Sequence, residues 1–226
     1  MKIKRIKIDL VKINKIFHYK KILLFSLPIL FVGATTVTVL YFKQKYHEAK
    51  ITDMQKANEL FESGKKDEAI ELLKDRFDVD GSDKTVAKQL AELYFRSQNY
   101  DDFSALVSQA KLDDCQTFIM MAFVARSRGE SDKAIEYYNS AIKKSPRNIS
   151  AYVTLAGFYQ VLGDEKNALE TIKSGLNYIT RSSTLYLLAA NYALDLGDKS
   201  AAKNYASKAL EIDKGNQKAK EILSRK

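Results

Sequence analysis

The 226-residue sequence has one cysteine, two histidines, two prolines, nine glycines and no tryptophan. A single cysteine excludes a disulfide-stapled fold and any multi-cysteine zinc or iron–sulfur site. The histidines, His18 and His47, both lie near the N-terminus, away from the bulk of the chain, which argues against a histidine-based metal or catalytic site. So little glycine and proline excludes collagen-like, linker-dominated and turn-rich all-β chains. Charged residues make up 29% and apolar ones 46%. The length and that balance predict one folded domain, or one with an appendage.

The net charge of +9 is concentrated at one end. Residues 1–21 hold eight basic side chains and a single acid, Asp9. The other 205 residues carry 29 basic and 27 acidic side chains. Binding duplex by phosphate neutralisation needs a basic face on the folded part. The near-neutral remainder excludes nucleic acid as the expected partner.

One long hydrophobic run follows the basic segment. Residues 22–42, ILLFSLPILFVGATTVTVLYF, contain no charge. As a helix they reach roughly 31 Å, enough for the ~30 Å hydrocarbon core of a bilayer. Tyr41 and Phe42 stand at the far end, where aromatic rings suit the interface. The run predicts an uncleaved signal anchor. Its rival is a signal peptide cut after Ala34, in Val32-Gly33-Ala34, but such peptides have apolar runs of about 7–15 residues and this one continues through Phe42. The heavier cationic flank precedes the helix, so the positive-inside rule puts residues 1–21 in the cytoplasm. The rest is then expected outside it, in a bacterial periplasm or at the cell exterior, or in the lumen of the endoplasmic reticulum. Within the tail, Ile3, Ile6, Leu10, Ile13 and Phe17 recur at three- and four-residue spacings among lysines. That pattern suits an amphipathic helix on anionic lipid or on a partner, and a disordered topology signal fits equally well.

The remainder repeats every 34 residues. Gly129, Gly163 and Gly197 keep that interval, as do Ala134, Ala168 and Ala202, then Ala141, Gly175 and Ala209, then Phe118, Tyr152 and Tyr186. Each block reads as helix, glycine turn, helix. An aromatic at the fourth place, an apolar–small pair at seven and eight, glycine at fifteen and small residues at twenty and twenty-seven closely resemble the tetratricopeptide repeat (TPR) family. Blocks 115–148, 149–182 and 183–216 match in register. Block 84–114 has Gln98 for the turn glycine and Phe103 for the alanine at twenty. Block 50–83 has Asp53, Lys56 and Arg76 where an aromatic, an aliphatic and a small residue are expected. Residues 217–226 read as a capping helix. The expected fold is all-α: a basic tail at 1–21, one transmembrane helix at 22–42, and a TPR solenoid of about five repeats over 43–226. The resemblance implies a right-handed superhelix with first helices lining its concave side. Residues 43–62 contain neither glycine nor proline, so the anchor helix could run on into the first repeat.

In the family, ligands commonly lie in that concave groove. Carried onto this sequence, the resemblance puts Lys88, Phe95 and Arg96 there from the second block, and Ile119, Phe123 and Arg126 from the third. Val153, Gly157, Gln160 and Val161 follow from the fourth, then Leu187 and Asn191 from the fifth. The apolar members favour an apolar or amphipathic peptide. Arg96 and Arg126 could hold a carboxylate in two-pronged fashion. Gly157 either lowers a groove wall or meets a packing requirement. A carboxylate clamp is not expected, because Ile119, Met120 and Val153 stand where its polar members belong.

Catalysis has no motif behind it. Cys115 has no nearby histidine, and there is no phosphate-cradling loop, EF-hand loop or pair of metal ligands at helical spacing. The expectation is a protein without cofactors and without enzymatic activity, a membrane-tethered scaffold that binds peptides or protein segments. By analogy with membrane-tethered TPR proteins, it would support assembly of an envelope complex in secretion, pilus assembly or beside a translocon. The alternatives are a cytosol-facing docking receptor and a soluble secreted solenoid released by cleavage.

Overall fold

The structure is a computed structural model that describes residues 32–225. Those residues form eleven helices and no strand. They group into two compact units that divide after Leu112. The first unit holds α1 (Val32–Glu62), α2 (Lys66–Val79), α3 (Lys84–Arg96) and α4 (Tyr100–Gln109). The second holds α5 (Cys115–Ser127), α6 (Ser131–Lys144), α7 (Ile149–Val161), α8 (Glu165–Tyr178), α9 (Ser183–Asp195), α10 (Lys199–Ile212) and α11 (Gln217–Ser224). Within each unit, consecutive helices pack as hairpins and each hairpin stacks on the next. The basic tail, and residues 22–31 of the apolar run, lie outside the described residues. Among the described residues no helix is long and apolar enough to cross a membrane.

Every hairpin turns the same way. Gly64, Gly129, Gly163 and Gly197 all have positive φ, between 72° and 87°. The amide one residue further on donates to the carbonyl five residues back, as Glu130 does to Ala125 at 2.9 Å and Asp198 to Ala193 at 2.8 Å. This is the glycine-terminated helix end that satisfies otherwise orphaned carbonyls. Gln98 takes the same left-handed conformation with φ 62°, and Asn99 donates to Tyr94 at 2.9 Å. The turn geometry therefore survives the loss of glycine, at the steric cost a Cβ incurs there.

The first helix of each later hairpin, and the last helix α11, starts on a capping side chain. Asp83, Asp114, Asn148, Ser182 and Asn216 each accept a hydrogen bond from an amide in the first turn of α3, α5, α7, α9 and α11. Three of these caps also tie back to the first residue of their own block. Lys50 Nζ donates to Asp83 at 2.9 Å, Asn148 Nδ2 to Cys115 Sγ at 3.3 Å, and Asn216 Nδ2 to Ser183 Oγ at 3.1 Å. Burial pushes the Asp83 carboxyl up, but the Lys50 ammonium and the amides of Val86 and Thr85 outweigh it and hold it below the usual carboxylate range. Burial raises the Cys115 thiol, so this cysteine is a packing residue rather than a ready nucleophile.

Small residues set the helix spacing. A Cβ on Gly175 would lie 2.9 Å from Cγ of Tyr152, so α7 and α8 meet ring against backbone. Phe118 packs beside the cluster containing Ala141, and Tyr186 beside the one containing Ala209, which repeat the large-on-small arrangement. The first hairpin solves the same problem with charge. Arg76 is only 5% exposed; its Nη1 lies 3.7 Å from Asp53, its Nη2 donates to Tyr46 O at 2.7 Å, and its guanidinium lies 4.3 Å from the Tyr46 ring centre. The two departures from the repeat pattern at 53 and 76 thus meet each other.

Replacing Gln98 with glycine is expected to stabilise the protein by about 1 kcal/mol, because it relieves a left-handed non-glycine residue. A shift of the urea midpoint upward at unchanged slope is the expected reading; a downward shift would contradict it.

Candidate functional site

All twelve residues that the sequence reading places in a groove lie on first helices of hairpins, but in two separate units. Lys88, Phe95 and Arg96 are on α3 of the first unit. The other nine are on α5, α7 and α9 of the second unit.

In the first unit the arginine is already engaged. Arg96 Nη2 lies 2.7 Å from Glu62 Oε1, and its guanidinium covers the Phe61 ring at 4.3 Å. A carboxylate ligand would have to displace Glu62. Phe95 turns toward its own hairpin partner, with ring centres 5.6 Å from Phe103 and 5.9 Å from Tyr100. Lys88 is exposed on the helix surface.

In the second unit the nine residues form rows. Ile119, Val153 and Leu187 occupy equivalent places on α5, α7 and α9 and are half-buried. Each packs against a core cluster: Ile119 against that of Ala122, Tyr138 and Phe158; Val153 against that of Tyr152 and Ile172; Leu187 against that of Ala190 and Ala206. They form the rim of the core. The next row, one helical turn on, is Phe123, Gly157 and Asn191. It runs from an aromatic ring through a missing side chain to an amide. Arg126 lies over Phe123 at 4.9 Å, which makes a combined cationic and aromatic surface on α5. Val161 is 75% exposed, and Gln160 beside it is also exposed.

Gly157 distinguishes itself from Gly175. A Cβ at Gly157 would meet nothing within 4 Å. Packing therefore does not require glycine there, although in a helix interior it costs about 0.8–1.0 kcal/mol relative to alanine. Its surroundings therefore offer no packing reason for glycine.

Two features escape a reading of the first helices alone. Leu162 and Leu196 extend the exposed apolar edge at the ends of α7 and α9; both directly precede a turn glycine, a signal the sequence does contain. A cleft of about 250 Å³ opens between α6 and α8 over Tyr152 and Tyr159, rimmed by Asn139, Asn167 and Glu170. It is lined by residues of α6, α7 and α8 together, so no single motif announces it. Among the described residues no group of three or more His, Cys, Asp or Glu is placed to hold a metal ion.

Residues 183–216 match the family described as tetratricopeptide repeat. They span α9 and α10, the hairpin with the Gly197 turn. No curated protein matches the sequence. Among solved structures, MamA has a TM-score of 0.58 at 19% identity, over 80% of this chain and 99% of that one. YrrB, described as a TPR protein with an unusual peptide-binding site, has a TM-score of 0.56 at 16% identity, over 81% and 98%. PilF of Pseudomonas aeruginosa has a TM-score of 0.58 at 12% identity, over 79% and 82%. At these identities the likeness is one of fold: the described chain has an all-α, TPR-like architecture of stacked helical hairpins.

The two glycines give opposite expectations. Gly157→Ala should stabilise the protein by up to about 1 kcal/mol, since only helix propensity changes. Gly175→Ala should destabilise it by about 1–3 kcal/mol, because the buried Tyr152 ring has to move. Chemical denaturation of both variants beside the wild type checks the pair; equal shifts would contradict the packing contrast.

Proposed function

We propose that this chain is a membrane-tethered interaction scaffold whose second unit binds an extended or helical peptide segment along α5, α7 and α9, without catalysis or a cofactor. The observation that carries the reading is Gly157: a helix-interior glycine with open space where a side chain would stand, between Phe123 and Asn191 in its row and one turn from exposed Val161. A scaffold that needed only stability would do better with alanine there. A ligand backbone or side chain occupying the space is the simplest use of it. The apolar row beside the gap, with the Arg126–Phe123 surface at one end and the amides of Asn191 and Gln160 nearby, suits an amphipathic segment carrying an acidic or polar flank. The peptide-binding site described for YrrB supports the same use of a similar fold.

The tether is the uncharged run at 22–42, and the basic residues before it favour a cytoplasmic N-terminus with the repeats outside the cytoplasm. Tethering raises the local concentration of the repeats for membrane-proximal partners. Assembly of an envelope complex is the setting that fold-level analogy favours.

Binding is tested on the detergent-solubilised full chain with an array of amphipathic peptides read by fluorescence polarisation. Peptides that bind the wild type should lose at least roughly tenfold in affinity with Gly157→Leu, about 1.4 kcal/mol, while the thermal transition stays cooperative. Unchanged affinity in a folded Gly157→Leu variant would remove this face as the binding site. Sidedness needs a new thiol, because Cys115 is buried. In a Cys115→Ser background, cysteine at exposed Ser200 should react with an impermeant maleimide in intact cells. Reaction only after permeabilisation would place the repeats in the cytoplasm.

A further inference from the structure

The start of α1 has no counterpart elsewhere among the described helices. Val39 and Leu40 are each 63% exposed and Tyr41 is 56% exposed. They are consecutive, so at about 100° per residue their side chains spread over more than half the helix circumference. A partner helix would cover one apolar stripe; exposure this broad fits an apolar medium rather than an apolar face. Polarity then changes within one turn. Lys43, Gln44 and Lys45 are exposed, and both Gln44 and Lys45 bond to Glu48, at 3.0 Å and 3.2 Å. The next residue along, Tyr46, already belongs to the folded unit, where its carbonyl and ring receive Arg76. The helix runs through all of this without interruption from Val32 to Glu62, with no glycine or proline after Gly33.

We propose that Val39–Phe42 lie in a lipid bilayer, that the membrane–water boundary falls between Tyr41 and Lys45, and that α1 passes through it without a hinge, holding the α1–α2 hairpin at a fixed height and angle on the membrane. This rests on the tethering reading above and adds the boundary and the rigidity. Phe42 and Tyr46 are four residues apart, a rise of about 6 Å. The headgroup layer on each side of a bilayer is about 5–8 Å thick. The Tyr46–Arg76 contact therefore sits at the outer edge of the headgroups. The edge-on pair of Tyr41 and Phe42, with ring centres 5.6 Å apart, falls at the depth where aromatic rings are favoured. Lys43 and Lys45 can extend their ammonium groups into the phosphate layer.

The test uses the full chain in a Cys115→Ser background, with single cysteines replacing Val39, Tyr41, Lys45, Glu48 or Lys56. Each carries an environment-sensitive fluorophore and is reconstituted into phosphatidylcholine–phosphatidylglycerol vesicles. Labels at 39 and 41 should be quenched by acyl-chain nitroxide and shielded from iodide roughly tenfold relative to 56, since an ion enters hydrocarbon at high cost. The label at 45 should be intermediate, and those at 48 and 56 open to iodide. Vesicle-bound protein with 39 and 41 as open to iodide as 56 overturns the boundary. Shielding that persists in dilute detergent and depends on protein concentration overturns it in favour of a second copy of the chain. Protein that fails to float with vesicles overturns the tethering reading itself, and this inference with it. Rigidity is read separately: three glycines inserted between Gln44 and Lys45 should lower the residual anisotropy of a label at Lys74. An unchanged value overturns the hinge-free connection.

Discussion

A tyrosine ring pressed against a residue without a side chain sets the spacing on which the second unit depends. Tyr152 is fully buried, its hydroxyl donates to Pro146 O at 3.0 Å, and its ring leaves no room for a Cβ on Gly175. Held by its hydroxyl at one end and by the α8 backbone at its face, the ring fixes the approach of α7 to α8. Ala156, Ala168, Ile172, Leu185, Ala189 and Tyr192 then close around it. Close-packed interiors transmit such constraints rather than absorbing them. The rows of side chains on α5, α7 and α9 keep their register because each hairpin is set by the same kind of contact.

The first hairpin shows that the constraint is geometric and not tied to one chemistry. Its fourth and twenty-seventh residues are Asp53 and Arg76, an acid facing a long cation instead of a ring facing a small residue. A buried guanidinium is costly unless it is paired and hydrogen-bonded. Here the Tyr46 carbonyl, the Asp53 carboxylate and the Tyr46 ring share that task. Tyr46 lies upstream of the block itself, so the hairpin is completed by residues of α1 that a 34-residue window leaves out. A terminal repeat with one face unstacked has the freedom for such a substitution.

The hairpins were legible because turn glycines and small residues repeat at a visible interval, and the backbone they imply is local. Gln98 was legible only as an exception; that it adopts the glycine conformation is decided by the hairpin packing around it, not by its own preference. The caps at Asp83, Asp114, Asn148, Ser182 and Asn216 were readable in principle, since each is a good capping residue just ahead of an apolar helix. The hydrophobic period marks the interior of each helix and does not point to them. The pairings Asp53–Arg76 and Glu62–Arg96 join residues 23 and 34 positions apart, and no single-chain pattern signals them. At the candidate site, the family resemblance put all twelve residues on first helices of hairpins, but it gave no sign of which of them support the core. Ile119, Val153 and Leu187 support the core clusters, and only burial shows it. Gly175 falls in the series of small residues with Ala141 and Ala209, whereas Gly157 belongs to no such series; that the space beside Gly157 is open appears only in the structure.

That difference joins the fold to its proposed use. A groove selects a peptide only if its walls hold still, and the Tyr152–Gly175 contact stiffens the hairpin that carries Gly157 on its other face. Rigidity in the receptor lowers the ordering cost of binding, so a modest apolar row can still discriminate between segments. The same logic extends to the tether. A flexible linker would let the repeats sweep a large volume and would dilute their effective concentration as its length grows. On the proposed tethering, a helix that enters the first hairpin unbroken spares that hairpin this dilution.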